Sequence, residues 1–264
     1  AGAELPCLIV NVIRGGPGWG TIQPSQADYF QTVKGGGHGD YRLIALAPAS
    51  VQEMADFVGL AFDLAFKYRN PAIILADGVI GQMMEKVVLP EQRPRLTNEE
   101  VMARCPWATF GKLKHRGPNI VTSLELDPAE MEKRNIHLQQ KYAEIEEKEV
   151  RYEEIHCDDA EYLIVAFGSC ARIAQKAMEE ARAEGIKVGL LRPITLWPFP
   201  SKAIAQRSRQ VKGILTVELN AGQMVEDVRL AVECKVPVEY FGRLGGIVPD
   251  PDEVITALKE KLIK

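Results

Sequence analysis

Residues 8–31 read LIVNVIRGGPGWGTIQPSQADYFQ, and this stretch decides the fold. The six residues from Leu8 to Ile13 make a short, apolar run of the kind that fills a buried parallel strand. A glycine-rich loop follows at once, with Arg14 at its mouth and Gly15, Gly16, Gly18 and Gly20 behind it. Open α/β sheets place their ligand sites in such loops, at the carboxyl ends of strands. Two familiar versions are excluded. Gly15 and Gly20 have the spacing of a P-loop opening, but Thr21 and Ile22 stand where Lys and Ser or Thr are required, and the G-x-G-x-x-G spacing is absent. What remains is one guanidinium at a strand end. Its planar fork suits a carboxylate, or it ties the loop together through a structural ion pair.

Working outward, residues 43–47 and 72–76 repeat the short apolar pattern and complete a small parallel sheet. Between them the sequence predicts a helix over 50–69, with Ser50 as N-cap and Glu53 three residues on. Two apolar stripes run down it. One is Val51, Ala55, Val58, Phe62 and Ala65; the other is Met54, Phe57, Ala61, Leu64 and Tyr68. One sheet satisfies only one stripe, so the second is expected against another domain or subunit. Gln26 and Asp28 either face the pocket of the glycine loop or cap the short helix that follows. His38, in GGGHGD, is a loop residue or lines the same pocket. Asp77 closes a turn or touches a ligand.

Residues 91–159 read as a connection. Pro94, Pro106, Gly111, Gly117 and Pro118 punctuate a stretch containing the basic run KLKHRGPN, expected to be solvated. A long charged helix then begins with Asp127 as N-cap and Pro128 at its first position. Met131, Leu138, Tyr142, Ile145 and Tyr152 give it a narrow apolar seam. From residue 160 strands and helices alternate to the end: a second α/β domain over 160–264. Ser169 is read as the cap of its first helix. Arg192 sits at a strand end, and Glu218, Asn220 and Gln223 follow a later strand; they meet either a ligand or a neighbouring chain. The first domain, residues 1–90, is short for an α/β unit, and an N-terminal part is expected to be missing.

The chain has 264 residues, a formal net charge of −4, 46% hydrophobic and 26% charged residues. That balance gives no attraction for nucleic acid or anionic lipid. No apolar run approaches the roughly 18 residues of a membrane span, and the first residues lack a signal-peptide core; a cytoplasmic protein is expected. Five cysteines lie at least thirteen residues apart, unlike the clusters that ligate iron–sulfur centres or zinc. No metal site is expected, and the thiols are read as reduced, mostly buried small apolar side chains.

The run RGGPGWGTIQPSQADYFQTVKGGGHGDYRLIALAPASVQEM resembles the pyrimidine-domain signature of 2-oxoacid:ferredoxin oxidoreductases, most of all the 2-oxoisovalerate (branched-chain) enzymes. The similarity continues through ADGVIGQMMEKVVLPE, HRGPNIVTSLELDPAEMEKRN, GSCARIAQKAMEEARAEGIKVGLLRPITLWPFP and VELNAGQMVEDVRLAV. It implies an α/β fold with an incomplete thiamine-diphosphate-binding, pyrimidine-type domain and a transketolase C-terminal-like domain. It implies oxidative decarboxylation of a 2-oxoacid to acyl-CoA, with electrons passed to ferredoxin. Arg14 falls where the family holds the substrate carboxylate, with Gly15, Gly16, Gln26, Asp28 and His38 around the pocket. The cofactors implied are thiamine diphosphate with Mg2+, shared with a partner subunit, and coenzyme A, for which Arg192, Glu218, Asn220 and Gln223 are candidate contacts if they do not meet a neighbouring chain. The iron–sulfur clusters would sit on other chains. The partners implied are a diphosphate-domain subunit, a gamma-type subunit, a ferredoxin-like subunit and external ferredoxin, with self-association as well. The family's catalytic glutamate lies upstream of the segment matching AGAELP, and Glu4 is not its equivalent, so this chain alone is expected to be inactive. A lipoamide-linked dehydrogenase component and a non-catalytic CoA- or nucleotide-binding module are the alternatives. The RGGPGWG loop and the long connecting helix argue against the first, the missing phosphate-loop residues against the second.

Overall fold

The computed structural model describes residues 1–111 and 114–263. The chain opens with β1 (Leu8–Ile13), a short α1 (Tyr29–Val33), β2 (Ile44–Leu46), α2 (Val51–Tyr68), β3 (Ala72–Asp77) and α3 (Gly78–Gln82). Both β1 and β2 pair in parallel with β3, on opposite sides of it. Burial of all six residues of β3 follows from that central place. The expectation of a buried β1 is corrected: β1 forms the sheet edge, and Val10 is 50% exposed. A strand with one neighbour keeps apolar residues open that a central strand would bury.

Helix α2 starts as its sequence predicts. The Ser50 hydroxyl accepts from the Glu53 N–H at 3.1 Å, and Arg69 closes the helix in the left-handed conformation. Phe57, Ala61, Leu64 and Tyr68 pack into the core, so the second predicted stripe faces the sheet. Of the other stripe, Val58 and Phe62 stay exposed, and Phe66 extends it one turn.

The connection holds more structure than its prolines suggest. Thr97 and Glu100 form a reciprocal capping box that opens α4 (Asn98–Arg104), a helix not read from the sequence. Helix α5 (Pro128–Lys148) is capped by Asp127, whose side chain accepts from the Ala129 N–H at 2.9 Å. It buries Leu138, Tyr142 and Ile145. Tyr152, read as the end of that seam, belongs instead to β4 (Tyr152–Ile155), because the helix stops at Lys148. Helix α5 lies on the first sheet's domain. Tyr142 meets Trp197 edge to face, and Lys141 and His137 both reach Glu4, at 3.0 and 3.2 Å. The first two residues of the basic run KLKHRGPN lie outside the described residues.

The second unit runs through β5 (Tyr162–Ala166), α6 (Gly168–Ala183), β6 (Val188–Pro193), β7 (Thr195–Trp197), α7 (Ser201–Ser208), β8 (Gly213–Glu218), α8 (Met224–Val232), β9 (Val238–Gly242) and α9 (Pro251–Leu258), ending in a π-helical turn, Lys259–Ile263. Its sheet has the order β4-β6-β5-β8-β9, all parallel except β4. Strand β7 does not join it. It crosses to the first sheet and pairs antiparallel with β2, Ala45 opposite Trp197. The first sheet is therefore completed by residues beyond 160. The α/β class, with parallel strands dominant in both sheets, is as the sequence predicts. The cysteines divide: Cys157 and Cys170 are buried, Cys105 is partly buried, and Cys7 and Cys234 are exposed. Cys7 precedes the open edge strand and Cys234 sits in a left-handed turn after α8, so neither reaches a core.

Candidate functional site

The carboxyl ends of the two sheets face one another. From the first come the loop after β1 and Asp77 at the end of β3. From the second come the start of α6, the segment after β8 and the loop after β9. Gln26 is the hinge of this meeting. Its amide Nε2 donates to the Phe167 carbonyl at 2.9 Å and its Oε1 accepts from the Leu219 N–H at 3.1 Å. Its own backbone N–H donates to the Leu219 carbonyl, and its carbonyl accepts from Asn220 Nδ2. Ser25 Oγ adds a bond to the Leu219 carbonyl. Gln26 is fully buried, so both readings from sequence are corrected: it neither caps α1 nor faces an open pocket.

Asp77 caps α3 through the Val79 and Ile80 N–H groups and accepts a bond from Ser169 Oγ at 2.6 Å. Ser169 is not the cap expected of it. Phe167 holds the N-cap position of α6, and Ser169 lies within the first turn, aimed across the seam. Glu218 is also buried. Its carboxylate accepts from the Met224, Val225 and Gln223 N–H groups and from Asn220 Nδ2, closing the start of α8 from inside. Burial raises its carboxyl above the ordinary range, and the backbone and Asn220 donors oppose that rise. Gln223 clips α1 by accepting from the Phe30 N–H and donating to the Ala27 carbonyl. Glu218, Asn220 and Gln223 thus build a contact between domains of one chain.

Arg192 does the same elsewhere. Its guanidinium grips both oxygens of Glu53, at 2.7 and 2.8 Å, and Glu153 at 2.9 Å. It borders a cleft of about 360 Å3 together with Ser50, Arg172 and Lys176. The charges there are spent within the protein: Arg172 pairs with Glu85 and Lys176 with Glu180.

Arg14 is placed differently. It leaves the carboxyl end of β1, bridges Pro24, and lies on an open face. Its Nη1 donates to the carbonyls of Trp19 and of Thr21, the latter at 3.2 Å. Neither partner is charged, and among the described residues Arg14 makes no ion pair. Gly15 N–H donates to Gln23 O and Thr21 N–H to Gly15 O, closing the neck of the loop. Gly20 has φ +54, and a Cβ there would sit 1.7 Å from the Gly15 carbonyl oxygen, so the turn requires glycine. Trp19, at the loop tip, is 95% exposed.

Of the other expected pocket residues, Asp28 accepts from Asn11 Nδ2 at 2.9 Å and makes no side-chain cap to α1. His38 sits in the loop leading into β2, whose Asp40 carbonyl accepts from Gln139 of α5. That loop approaches the amino end of β2, whereas Arg14 leaves the carboxyl end of the parallel β1. The structure does not bring His38 and Arg14 together. The residues missed from the sequence are Thr21 in the Arg14 loop and its partners across the seam, Leu219, Gly245 and Gly246. No local pattern marks contacts made across some two hundred residues. Among the described residues, no three or more His, Cys, Asp or Glu side chains gather as a metal site.

Residues 1–155 match the family described as pyruvate flavodoxin/ferredoxin oxidoreductase, thiamine diphosphate-binding, and residues 160–254 match pyruvate:ferredoxin oxidoreductase core domain II. The chain belongs to the 2-oxoacid:ferredoxin oxidoreductase family. Ketoisovalerate oxidoreductase subunits VorB of Methanothermobacter marburgensis and Methanothermobacter thermautotrophicus are each 50% identical over 98% of this chain and 72% of theirs. The 2-oxoglutarate synthase subunit KorA of Archaeoglobus fulgidus is 34% identical, over 94% of this chain and 70% of its own. Among solved structures, the 2-oxoglutarate:ferredoxin oxidoreductase from Magnetococcus marinus, with 2-oxoglutarate, coenzyme A and succinyl-CoA bound, superimposes with a TM-score of 0.72 at 24% identity. The match covers 98% of this chain and 49% of that one, and shows the fold. As a member of this oxidoreductase family, the chain is a subunit of an enzyme.

Proposed function

We propose that this subunit serves a thiamine-diphosphate-dependent enzyme that oxidatively decarboxylates branched-chain 2-oxoacids such as 2-oxoisovalerate, and that Arg14 receives the substrate carboxylate. The observation that carries the reading is the guanidinium itself. Arg14 is exposed at a strand's carboxyl end, tied by one nitrogen to two backbone carbonyls and paired with no carboxylate among the described residues. A guanidinium steadied in this way keeps its charge and its remaining N–H groups for an incoming anion. The relatives at 50% identity, named for ketoisovalerate, support the branched-chain assignment.

Bound thiamine diphosphate would supply the carbanion chemistry. Its fit to this chain is one-sided. The described residues gather no set of metal-ligating side chains, so the Mg2+–diphosphate end suits a partner subunit. The glycine loop, with open space at Gly16 beside Arg14, suits the substrate end. Coenzyme A as acyl acceptor, iron–sulfur clusters on partner chains, a gamma-type and a ferredoxin-like subunit, external ferredoxin and a cytoplasmic location complete the reading. No helix among the described residues is long and apolar enough to cross a membrane. Self-association is assigned to the open Val58–Phe62–Phe66 stripe of α2.

The test is viologen reduction by the assembled enzyme with coenzyme A and a series of 2-oxoacids. Branched-chain substrates should give the highest kcat/KM, and a preference for 2-oxoglutarate would overturn the substrate assignment. Arg14→Lys keeps a charge but loses the fork. It should lower kcat/KM by about two orders of magnitude, the scale of a lost positioning group, while thiamine diphosphate affinity changes little. Unchanged kinetics in a well-folded variant would remove Arg14 from the site.

A further inference from the structure

The loop that carries Arg14 is held from two sides. Its neck belongs to the first domain, through the Gly15–Gln23 and Thr21–Gly15 backbone bonds. Its returning limb is gripped by the second domain. Thr21 Oγ1 donates to the Gly245 carbonyl at 3.1 Å, in the loop that follows β9. That loop is itself fixed at its start, where the Arg243 N–H donates to the Glu218 carbonyl and the Arg243 side chain pairs with Glu253 of α9. The two loops touch closely. A Cβ on Gly246 would lie 2.4 Å from Gln23 Cβ and 2.8 Å from Thr21 Oγ1; one on Gly15 would lie 2.6 Å from Thr21 Oγ1 and 2.9 Å from the Gly245 carbonyl carbon. Neither loop has room to shift without the other.

Thr21 therefore stands at both ends of one connection. Its carbonyl accepts from Arg14 Nη1, and its hydroxyl donates to Gly245. We propose that Thr21 is a positioning residue, through which the 243–246 loop of the C-terminal domain sets the orientation of the Arg14 guanidinium toward a 2-oxoacid carboxylate. This rests on the reading of Arg14 as the carboxylate group's partner. The carbonyl of Thr21 is backbone and survives any substitution; the hydroxyl is the part that side-chain chemistry controls. Without it, the limb that holds Nη1 loses its hydrogen bond to the 243–246 loop, and the fork samples more orientations. Bidentate recognition suffers from that freedom more than simple charge attraction would.

Two measurements test the proposal, using Thr21→Val, which keeps the shape but removes the hydroxyl, and Thr21→Ser, which restores it. In the assembled enzyme, Thr21→Val should raise KM for 2-oxoisovalerate about fivefold, the scale of one net hydrogen bond, with thiamine diphosphate affinity and Tm unchanged. Thr21→Ser should return KM to the wild-type value. Hydrogen exchange of the peptide covering residues 14–23 should quicken in Thr21→Val and not in Thr21→Ser. An unchanged KM in Thr21→Val, where Arg14→Lys is impaired, overturns the positioning role while leaving Arg14 in the site. Equal losses in both Thr21 variants would show that the hydroxyl alone does not restore the site, and would also overturn it. If Arg14→Lys itself is unimpaired, the carboxylate reading fails, and exchange then judges the coupling of the loops alone: no change at residues 14–23 refutes that too.

Discussion

Asp77 and Ser169, 92 residues apart in the chain, are joined by a 2.6 Å hydrogen bond from the serine hydroxyl to Asp77 Oδ2, and this bond spans the carboxyl edges of the two sheets. The other carboxylate oxygen caps α3. One side chain thus serves a local helix start and a long-range seam, both buried.

That division of labour makes a graded prediction. Ser169→Ala removes only the cross-seam hydroxyl and should cost about 1–2 kcal/mol. Asp77→Ala also strips the cap and should cost about 2–3 kcal/mol. Denaturant unfolding of the two variants measures this, and equal costs would show that the cap contributes nothing beyond the seam.

Gln26 offers a sharper case, because both ends of its amide are used. Gln26→Leu keeps the size but leaves the Phe167 carbonyl and the Leu219 N–H without their side-chain partner. Two buried polar groups that lose a bond cost about 1–3 kcal/mol each, so a loss of roughly 2–6 kcal/mol is expected. Domain separation should accompany it, read as new protease cleavage near residues 14–28. A variant as stable and as resistant as wild type would mean that the seam is held by other contacts.

The Glu53–Arg192 pair predicts an acid-sensitive term. Burial tends to raise the Glu53 carboxyl, but the Arg192 donors, the Ala49 N–H and the Arg192 charge together hold it below its ordinary 4.5. A depressed carboxyl contributes stability above the unfolded-state value and loses it as pH falls through the folded value. The stability advantage of wild type over Glu53→Gln should be flat above about pH 5 and shrink progressively below the ordinary carboxylate value. Arg192→Ala, which strands a carboxylate, should be costlier at neutral pH, about 3 kcal/mol, and should recover part of that loss in acid. An advantage independent of pH would show that the pair is not ionic in the folded state.

How much of this was legible beforehand depends on range. Features confined to a few neighbouring residues read directly: the Ser50 cap with Glu53, the Asp127–Pro128 helix start, the strand before Arg14. Thr97 and Glu100 have the same spacing, but prolines on both sides give the segment the pattern of an unstructured connection. Contacts between distant segments left no trace. Nothing near Gln26 names Leu219 as its partner, and nothing in Thr195–Trp197 says that the strand leaves its own domain for β2. The site followed the same rule. Arg14 stands out because a charge beside glycines at a strand end is a local pattern, whereas the bonds of Glu218, Asn220 and Gln223 to one another and to residues 26–30 leave no local pattern, so that their sequence allows either coenzyme A or a neighbouring chain.

The open stripe of α2 supports the last prediction. Val51, Ala55, Val58 and Phe62 are spaced alternately by four and three residues, the 3.5-residue repeat of a helix seam; Ala65, next in that spacing, is buried in the core. Phe62 and Phe66 are 44% and 49% exposed beside it. The extended segment before α4 covers the adjacent face, with Gln52 meeting Val88 and Asp63 pairing with Arg93. A seam of this spacing accepts a second helix of the same kind, and a second copy of α2 supplies one. Phe62→Ser with Phe66→Ser should therefore leave Tm within a few degrees, since neither ring is in the core, yet shift the chain toward monomer in sedimentation velocity. A two-fold interface would weaken twice over, once for each copy. If the double variant sediments as wild type does, the stripe is not where copies meet; if it unfolds, the rings support the monomer and their exposure has been misjudged.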